Sequence, residues 1–259
     1  MIRLVACDVD GTLIGHDRLL PDERRAAIRR LVDAGIRVVL ATGKIWPSIR
    51  PLWETLSLPG PHVTCNGAAL VEGDGRLLAY TPLDRGTAAE VAAELARRAI
   101  LHAIYFEDGT LVTARRVPKL DVLVELGEPD PEVGQVRDRR VLKVLSVIGP
   151  DEEADHRELA AARARIQRTS HRFLEWNHPD ADKALGLRRV VEHLGLTMDE
   201  VVAIGDAEND VPMPRAAGTS VAVRDASAAG RDGADDFHLV SDLSAFLDEV
   251  AASAAGIGS

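Results

Sequence analysis

Two pairs of acidic residues follow apolar runs and define the chemistry that the sequence could support. Asp8 and Asp10 follow the first apolar run, and Asp206 and Asp210 follow a later one. Residues two apart on an extended chain point to the same side, so Asp8 and Asp10 repel each other unless a proton or a cation lies between them. Several carboxylates without a neighbouring His or Cys cluster favour Mg²⁺ over zinc. We therefore expect these acids to hold a magnesium ion.

Polar residues also follow two other apolar runs in the first third of the chain. Thr42, Gly43 and Lys44 follow one run, and Asn66 and Gly67 follow the next. In an open parallel sheet the carboxyl ends of the strands share one edge, where ligands bind. Any one of these loops could be an ordinary turn rich in Asp and Gly. Four such strand ends together favour a functional site.

The elements that must position these residues alternate between strands and helices at both ends of the chain. Short, nearly all-apolar runs are typical of strands covered on both faces, and segments with helical spacing separate them. This order predicts a doubly wound, mostly parallel α/β sheet with right-handed crossovers. The predicted strands are 2–7, 36–41, 62–65, 201–204 and 220–223, and the predicted helices are 21–34, 46–56, 184–194, 212–217 and 243–251.

The middle of the chain has a different pattern. A β-hairpin predicted at Asp74-Gly75 still belongs to the first part of the chain, and a second one is predicted in the middle at Asp108-Gly109, since each pair lies between apolar runs. Further strands are predicted at 141–148 and 172–176, and helices at 87–99 and 151–166. We expect a first core segment at 1–83, an inserted α+β domain with a mostly antiparallel sheet at 84–180, and a second core segment at 181–259.

Composition excludes several classes of protein. The chain has 259 residues, with 31 basic and 41 acidic side chains and a formal net charge of −10. Because phosphate backbones attract Lys and Arg, neither a nucleic acid nor an anionic membrane is the expected partner. No apolar run approaches the roughly 18 residues of a membrane span. The two cysteines, Cys7 and Cys65, lie in apolar runs, so we expect reduced thiols in a cytoplasmic protein.

The polar strand ends resemble the motifs of a known family. Asp8-Val9-Asp10-Gly11-Thr12-Leu13 resembles the nucleophile motif of the haloacid dehalogenase superfamily of phosphohydrolases, and Ala41-Thr42-Gly43 resembles its second motif. Asp182-Lys183-Ala184-Leu185 is similar to the third motif, and Gly205-Asp206-Ala207-Glu208-Asn209-Asp210 to the fourth. The insert lies between the second and third motifs, where the Cof-type branch carries an α/β cap. The resemblance covers most of the chain.

The resemblance implies a role for each matching residue. Asp8 would attack phosphorus to form an aspartyl phosphate, and Asp10 would protonate the leaving group and then activate the hydrolytic water. Thr42 and Lys183 would complete the catalytic set by contacting the phosphoryl group. The substrate-binding residues would be Thr42, Gly43, Asn66, Gly67, Lys183 and Asn209. The Mg²⁺ ligands would come from Asp8, Asp10 (through its backbone carbonyl), Asp206 and Asp210.

Simpler structural explanations stay open for several of these residues. Thr42 could cap the following helix. Lys183 could be a solvated lysine at a helix start, and Asn209 could be a turn residue. Glu175 and His178, near the return from the insert, are interpreted as surface polar residues.

The leading interpretation is a Mg²⁺-dependent phosphatase of a small phosphorylated metabolite, such as a sugar phosphate. The alternative is a phosphomutase or phosphotransferase, which would pass the phosphoryl group to a sugar hydroxyl. A binding protein without catalysis is a third hypothesis, which the intact set of site residues disfavours. Specificity would depend on the insert, where Arg115, Arg116 and Lys143 are candidates to bind a second anionic group of the substrate. The sequence leaves the oligomeric state open.

Overall fold

The first strand of the chain lies inside a five-stranded parallel sheet. Across the sheet the strands are β14 (His238–Val240), β13 (Thr219–Val223), β12 (Val201–Gly205), β1 (Leu4–Cys7) and β2 (Arg37–Leu40). Strand β1 pairs with both β12 and β2, so Cys7 lies between Ile204 and Leu40 at the carboxyl edge. The computed structural model describes residues 1–15, 18–136, 138–148, 156–160, 163–170, 172–223 and 238–255.

Helices cover both faces of this sheet. Val5 and Cys7 belong to one apolar cluster, together with buried residues of α1 (Asp22–Asp33), α2 (Trp46–Leu56) and α7 (Leu243–Ala255). Leu4 and Ala6 belong to another cluster, which includes residues of α5 (Lys183–His193) and α6 (Pro212–Ala216). Since alternate residues of a strand face opposite sides, both sets of side chains must be apolar. The predicted doubly wound α/β fold is confirmed.

A small antiparallel sheet extends the parallel one. It consists of β3 (His62–Thr64), β4 (Ala69–Val71) and β5 (Leu77–Tyr80), and the predicted hairpin at Asp74-Gly75 joins the last two. Strand β3 contacts the parallel sheet through one bridge, between Ala41 and Val63. The expected third parallel strand is therefore only a short extension at the edge, although it still brings Asn66 to the carboxyl edge.

The middle of the chain forms a six-stranded sheet. Its order is β10 (Arg165–Ser170), β11 (Phe173–Asn177), β9 (Val141–Val147), β6 (Leu101–Phe106), β7 (Leu111–Thr113) and β8 (Glu132–Val133). All neighbouring pairs are antiparallel except β7 and β8, which confirms the mostly antiparallel character. Helix α3 (Arg85–Arg97) packs on it, and a short helix α4 (Asp121–Glu125) was not predicted.

The predicted helix at 151–166 is wrong where the structure describes this segment. Arg165 and Ile166 belong to β10, where they pair with Asn177 and Trp176 of β11. Nε1 of the buried Trp176 donates to the carbonyl oxygen of Leu159 at 2.8 Å. Hairpin pairing and this contact outweigh the helical spacing of the charged residues. The remainder of the predicted helix, at 151–155 and 161–162, lies outside the described residues.

Among the described helices, none combines the length and the apolar character that crossing a bilayer requires.

Candidate active site

Asp8 and Lys183 form a buried ion pair at the carboxyl edge of the parallel sheet. Asp8 comes directly after β1, and its Oδ1 lies 2.5 Å from Nζ of Lys183, the first residue of α5. The same ammonium donates to Oδ1 of Asp210. Asp8 is 5% exposed, Lys183 1% and Asp210 2%. Lys183 is therefore not a solvated lysine at a helix start, and it joins two acids that are distant in the sequence.

The start of α5 is fixed by its cap and by a glycine. Oδ1 of Asp182 accepts a hydrogen bond from the backbone N–H of Leu185 at 2.7 Å, which satisfies one of the free amides of the first turn. A Cβ atom at Gly67 would lie 1.8 Å from the carbonyl oxygen of Asp182, and the φ of Gly67 is +86°. Only glycine allows this close approach, so Gly67 positions Lys183 by letting the two segments pack together.

The loop after β12 holds the remaining acids in place. Oδ2 of Asp210 accepts hydrogen bonds from the backbone N–H groups of Asp206 (3.0 Å) and Ala207 (2.9 Å). The hydroxyl of Thr12 donates to Oδ1 of Asp206 at 2.8 Å. A Cβ atom at Gly11 would lie 2.5 Å from Oδ2 of Asp206. The first and fourth motifs therefore contact each other directly.

The charges of this cluster favour a bound cation. Carboxylate oxygens of Asp8, Asp206 and Asp210 lie within 4.8 Å of one another. Burial, followed by repulsion from Asp210, raises the pKa of Asp8 well above its usual range, and the same two causes raise the pKa of Asp206. Burial disfavours the charge of Lys183, but Asp210 and Asp8 raise its pKa above the ordinary value. One lysine does not balance three acids, so a further cation would stabilise their ionised forms.

This donor set fits Mg²⁺. The group consists of carboxylates alone, which are the hard oxygen ligands that this cation prefers. The side chain of Asp10 does not belong to the group. It is 44% exposed, and its Oδ1 lies 3.0 Å from Nζ of Lys44. The side chain of Asp10 therefore lies apart from the three clustered carboxylates.

Thr42 lies at the end of β2 and lines the cavity described below. Its Oγ1 accepts a hydrogen bond from the backbone N–H of Lys44 at 3.1 Å, and the residue is 1% exposed. Helix α2 begins at Trp46 and has Ile45 at its N-cap position, so Thr42 does not cap this helix. Its hydroxyl proton remains available to a ligand.

A buried polar network runs from this edge into the six-stranded sheet. Nδ2 of Asn209 donates to Oδ1 of Asn66 at 3.1 Å, and Nδ2 of Asn66 donates to Oε2 of Glu175 at 2.7 Å. Nζ of Lys143 donates to Oε1 of Glu175 at 2.9 Å and to the carbonyl oxygen of Gly43 at 2.7 Å. These contacts join the two sheets across the site.

The interpretation of Glu175 as a surface residue is wrong, because this side chain is 2% exposed. Within β11, Leu174 and Trp176 face the apolar cluster of the six-stranded sheet. Phe173 and Glu175 both line the cavity on the other face. Nothing in the sequence signals this, because alternation only places Glu175 on the face opposite Leu174 and Trp176 and does not show that this face is covered.

A cavity of about 160 Å³ lies between the two sheets. Part of its wall comes from the predicted site residues Asp8, Asp10, Thr42, Gly43, Asn209 and Asp210. Four other predicted residues, namely Asn66, Gly67, Lys183 and Asp206, support this wall without lining it. The cavity therefore reaches both the acidic cluster and the six-stranded sheet.

Comparison with known proteins agrees with this arrangement. The family of haloacid dehalogenase-like hydrolases matches residues 5–239. The chain is 31% identical over 246 residues to a 5-amino-6-(5-phospho-D-ribitylamino)uracil phosphatase of Bacillus subtilis, covering 90% of this chain and 88% of the relative. It is 30% identical over 231 residues to a phosphoglycolate phosphatase of Methanopyrus kandleri, covering 88% and 86%. A HAD/COF-like hydrolase of Plasmodium vivax shares the fold, with a TM-score of 0.85 at 21% identity over 96% of this chain and 94% of that chain.

The chain belongs to the haloacid dehalogenase-like hydrolases. It is a phosphoric monoester hydrolase, in agreement with the names of these two phosphatases.

Proposed function

We propose that the chain is a Mg²⁺-dependent phosphatase that hydrolyses a small phosphorylated metabolite, such as a sugar phosphate, through an aspartyl phosphate on Asp8. The buried contact of Lys183 with Asp8 and Asp210 carries this proposal, because it holds an acid in place at the wall of a cavity. The two relatives with about 30% identity are named for small phosphomonoesters, which supports the same class of substrate here.

In the proposed mechanism, Asp8 is the nucleophile. Lys183 holds its Oδ1, so the other carboxylate oxygen attacks phosphorus while the bond from phosphorus to the leaving oxygen breaks. Asp10, which lines the cavity, gives its proton to the leaving oxygen and then takes one from the water that hydrolyses the aspartyl phosphate. Thr42 and Lys183 stabilise the charge that develops on the phosphoryl oxygens.

Mg²⁺ would be held by the side chains of Asp8, Asp206 and Asp210 and by the backbone carbonyl of Asp10. When bound, the cation supplies positive charge that lets an anionic carboxylate approach an anionic phosphate. The substrate-binding roles expected for Gly43, Asn66, Gly67 and Asn209 are part of the same proposal. Asn66 and Gly67 do not line the cavity, so they act by positioning Asn209 and Lys183.

We also propose that residues 84–180 act as a cap over a core formed by 1–83 and 181–259. Nζ of Lys44 donates to the carbonyl oxygen of Leu126 at 2.9 Å, and Nζ of Lys143 donates to that of Gly43. These contacts hold the cap against the core and would exclude water during the first chemical step. A cytoplasmic location is proposed because Cys7 and Cys65 are both buried and unpaired.

The test is phosphate release from a panel of sugar phosphates, nucleotides and phosphoglycerates, with and without Mg²⁺. We expect Mg²⁺-dependent release by the wild-type enzyme and none by Asp8→Asn. Glu208→Gln is the matched control, since Glu208 is an exposed acid in the same loop as Asp206 and Asp210. Undiminished release by Asp8→Asn would refute the mechanism. Conversion of a sugar phosphate to an isomer without phosphate release would instead identify a phosphomutase.

A further inference from the structure

We propose that the cap end of the cavity recognises a hydrogen-bond donor on the leaving group, a hydroxyl or an amino group, and rejects a second anionic group. The site consists of Glu128, Tyr105 and Lys143, which line the cavity together. This inference rests on the proposed phosphatase function and specifies its substrates as phosphomonoesters of polyols or amino compounds, as opposed to phosphocarboxylates and bisphosphates.

Lys143 is already neutralised within the protein. Its Nζ donates to Glu175 at 2.9 Å and to the carbonyl oxygen of Gly43 at 2.7 Å, and it lies 4.4 Å from the centroid of the Tyr105 ring. An ammonium group has three donors, so these three neighbours account for its hydrogen-bonding capacity. The residue is 1% exposed. Lys143 therefore does not offer a charge to a substrate anion.

The other side chains that could bind a second anionic group of the substrate contact other parts of the protein. Arg116 binds Asp121 and Asp130, and Arg115 lines a different cavity beside His102. Lys44 lines the main cavity but pairs with Asp10 and donates to the carbonyl oxygen of Leu126. Among the residues that the structure describes, no cation of the cavity wall is left for a second phosphate or a carboxylate.

Glu128 and Tyr105 have unused hydrogen-bonding capacity at the same end. Oε2 of Glu128 accepts a hydrogen bond from the hydroxyl of Ser48 at 2.5 Å, whereas no described residue donates to Oε1. Burial raises the pKa of Glu128, and the side chain is held at the wall with 8% exposure. The hydroxyl of the fully buried Tyr105 has no hydrogen-bond partner in the described part of the chain. Buried polar groups of this kind are stabilised by a ligand that bonds to them.

The sum of charges gives the site its selectivity. Glu128 and Glu175 both line this end. Lys143 is paired with Glu175 and Lys44 with Asp10, so no positive charge of the described wall remains for an anion. A carboxylate or phosphate placed here would be repelled by the carboxylates and, among these residues, would find no free cation to offset the loss of its water. A hydroxyl can donate to Glu128 and accept from Tyr105, and an ammonium group gains the charge of Glu128 as well.

The inference is tested by measuring ligand affinities with isothermal titration calorimetry. The Asp8→Asn protein is used because, without the proposed nucleophile, it should not hydrolyse the ligand. Glucose 1-phosphate, 6-amino-6-deoxyglucose 1-phosphate and glucuronic acid 1-phosphate share a ring and a phosphate and differ only at C6, which carries a hydroxyl, an amino or a carboxylate group. We expect the first two to bind at least about tenfold more tightly than the third. Adding Glu128→Gln should reduce this preference to about threefold or less, and Tyr105→Phe should weaken the two favoured ligands.

Glu132→Gln is the control, because Glu132 is an exposed acid of the cap. It should keep the preference of the Asp8→Asn protein. Binding of none of the three esters, equal or tighter binding of the carboxylate, or an unchanged preference in Glu128→Gln would overturn the inference. Failure of the proposed function would be seen in a different experiment, as no phosphate release by the wild-type enzyme. In that case the ratios of the binding constants would still show whether this end of the cavity prefers a hydrogen-bond donor to an anion.

Discussion

Nζ of Lys183 lies 2.5 Å from Oδ1 of Asp8 and also donates to Oδ1 of Asp210. The three residues come from the end of β1, the start of α5 and the loop after β12. Because Lys183 is 1% exposed, its charge is balanced by the two acids and not by water. The proposed nucleophile is therefore held by the same lysine that binds Asp210.

Replacing this lysine should affect stability and catalysis together. Lys183→Met keeps the length of the side chain but leaves Asp8 and Asp210 without their cation. We expect the free energy of unfolding to fall by about 3–5 kcal/mol, as when one partner of a buried pair is removed, and kcat to fall about 100-fold or more. Urea denaturation and phosphate release measure these effects. Lys119→Met, at an exposed position, is the control, and equal behaviour of the two variants would contradict the assignment.

Magnesium should stabilise the folded protein through the acidic cluster. A ligand that binds only the folded state stabilises it by about 2.7 kcal/mol at 100 times its Kd, so Mg²⁺ should raise the Tm of the wild type. Asp206→Asn should lose most of this increase because it removes one of the three clustered carboxylates. Glu208→Gln should retain it. The prediction fails if Asp206→Asn shows the same increase in Tm as the wild type.

His62 should make stability depend on pH. The imidazole is buried, its Nδ1 accepts a hydrogen bond from the backbone N–H of Leu40 at 3.2 Å, and its ring stacks on Trp53 with centroids 4.7 Å apart. Burial lowers its pKa from 6.5 to about 4. Between these values the unfolded chain binds a proton that the folded chain does not. The contribution of His62 is therefore complete above pH 6.5 and is lost as the pH falls through 4, and it amounts to about 3 kcal/mol.

Urea denaturation between pH 4 and pH 7 tests this expectation. Relative to its own value at pH 7, His62→Phe should lose less free energy of unfolding on acidification than the wild type does. The variant retains an aromatic ring against Trp53. The change of its free energy of unfolding with pH can therefore be compared with that of the wild type even if its absolute stability is lower. If the free energy of unfolding falls equally with pH in the two proteins, His62 is not the origin of the pH dependence.

Gly67 should tolerate no side chain. In Gly67→Ala the new Cβ would meet the carbonyl oxygen of Asp182 at 1.8 Å, and the positive φ adds strain. We expect a loss of about 3 kcal/mol or more in the free energy of unfolding. Gly35→Ala is the control, because Gly35 also has a positive φ but no atom within 4 Å of its Cβ position. That variant should lose about 1 kcal/mol. Similar losses would show that backbone strain alone matters at Gly67.

The core end of the site could be predicted from the sequence because it depends on local patterns. Asp8, Thr42 and Asp206 each follow an apolar strand, and parallel strands bring their carboxyl ends to one edge whatever the details of packing. Lys183 was assigned by resemblance, since nothing in its own surroundings shows that the start of α5 reaches Asp8.

The cap end could not be predicted, because it depends on pairing between distant segments. Lys143 reaches Glu175 only because β9 pairs with β11, and Glu128 is placed by Ser48 of α2. Helix α4 has five residues, too few for a periodic pattern to be recognised. The prediction of a helix at 151–166 failed for the same reason, because pairing with β11 determines the conformation of Arg165 and Ile166.

The position of β1 between β2 and β12 has a consequence for synthesis on the ribosome. Strand β2 follows soon after β1, but β12 begins only at Val201. At a translation rate of about 5–20 residues per second, β12 is synthesised roughly 10–40 s after β1, so one edge of β1 has no partner strand during that interval. During that time an apolar strand has an unpaired edge, which is a template for pairing with other chains. The nascent chain is therefore most exposed to aggregation while its middle is being translated, and a chaperone that shields the first strand during this interval would increase the yield of folded protein.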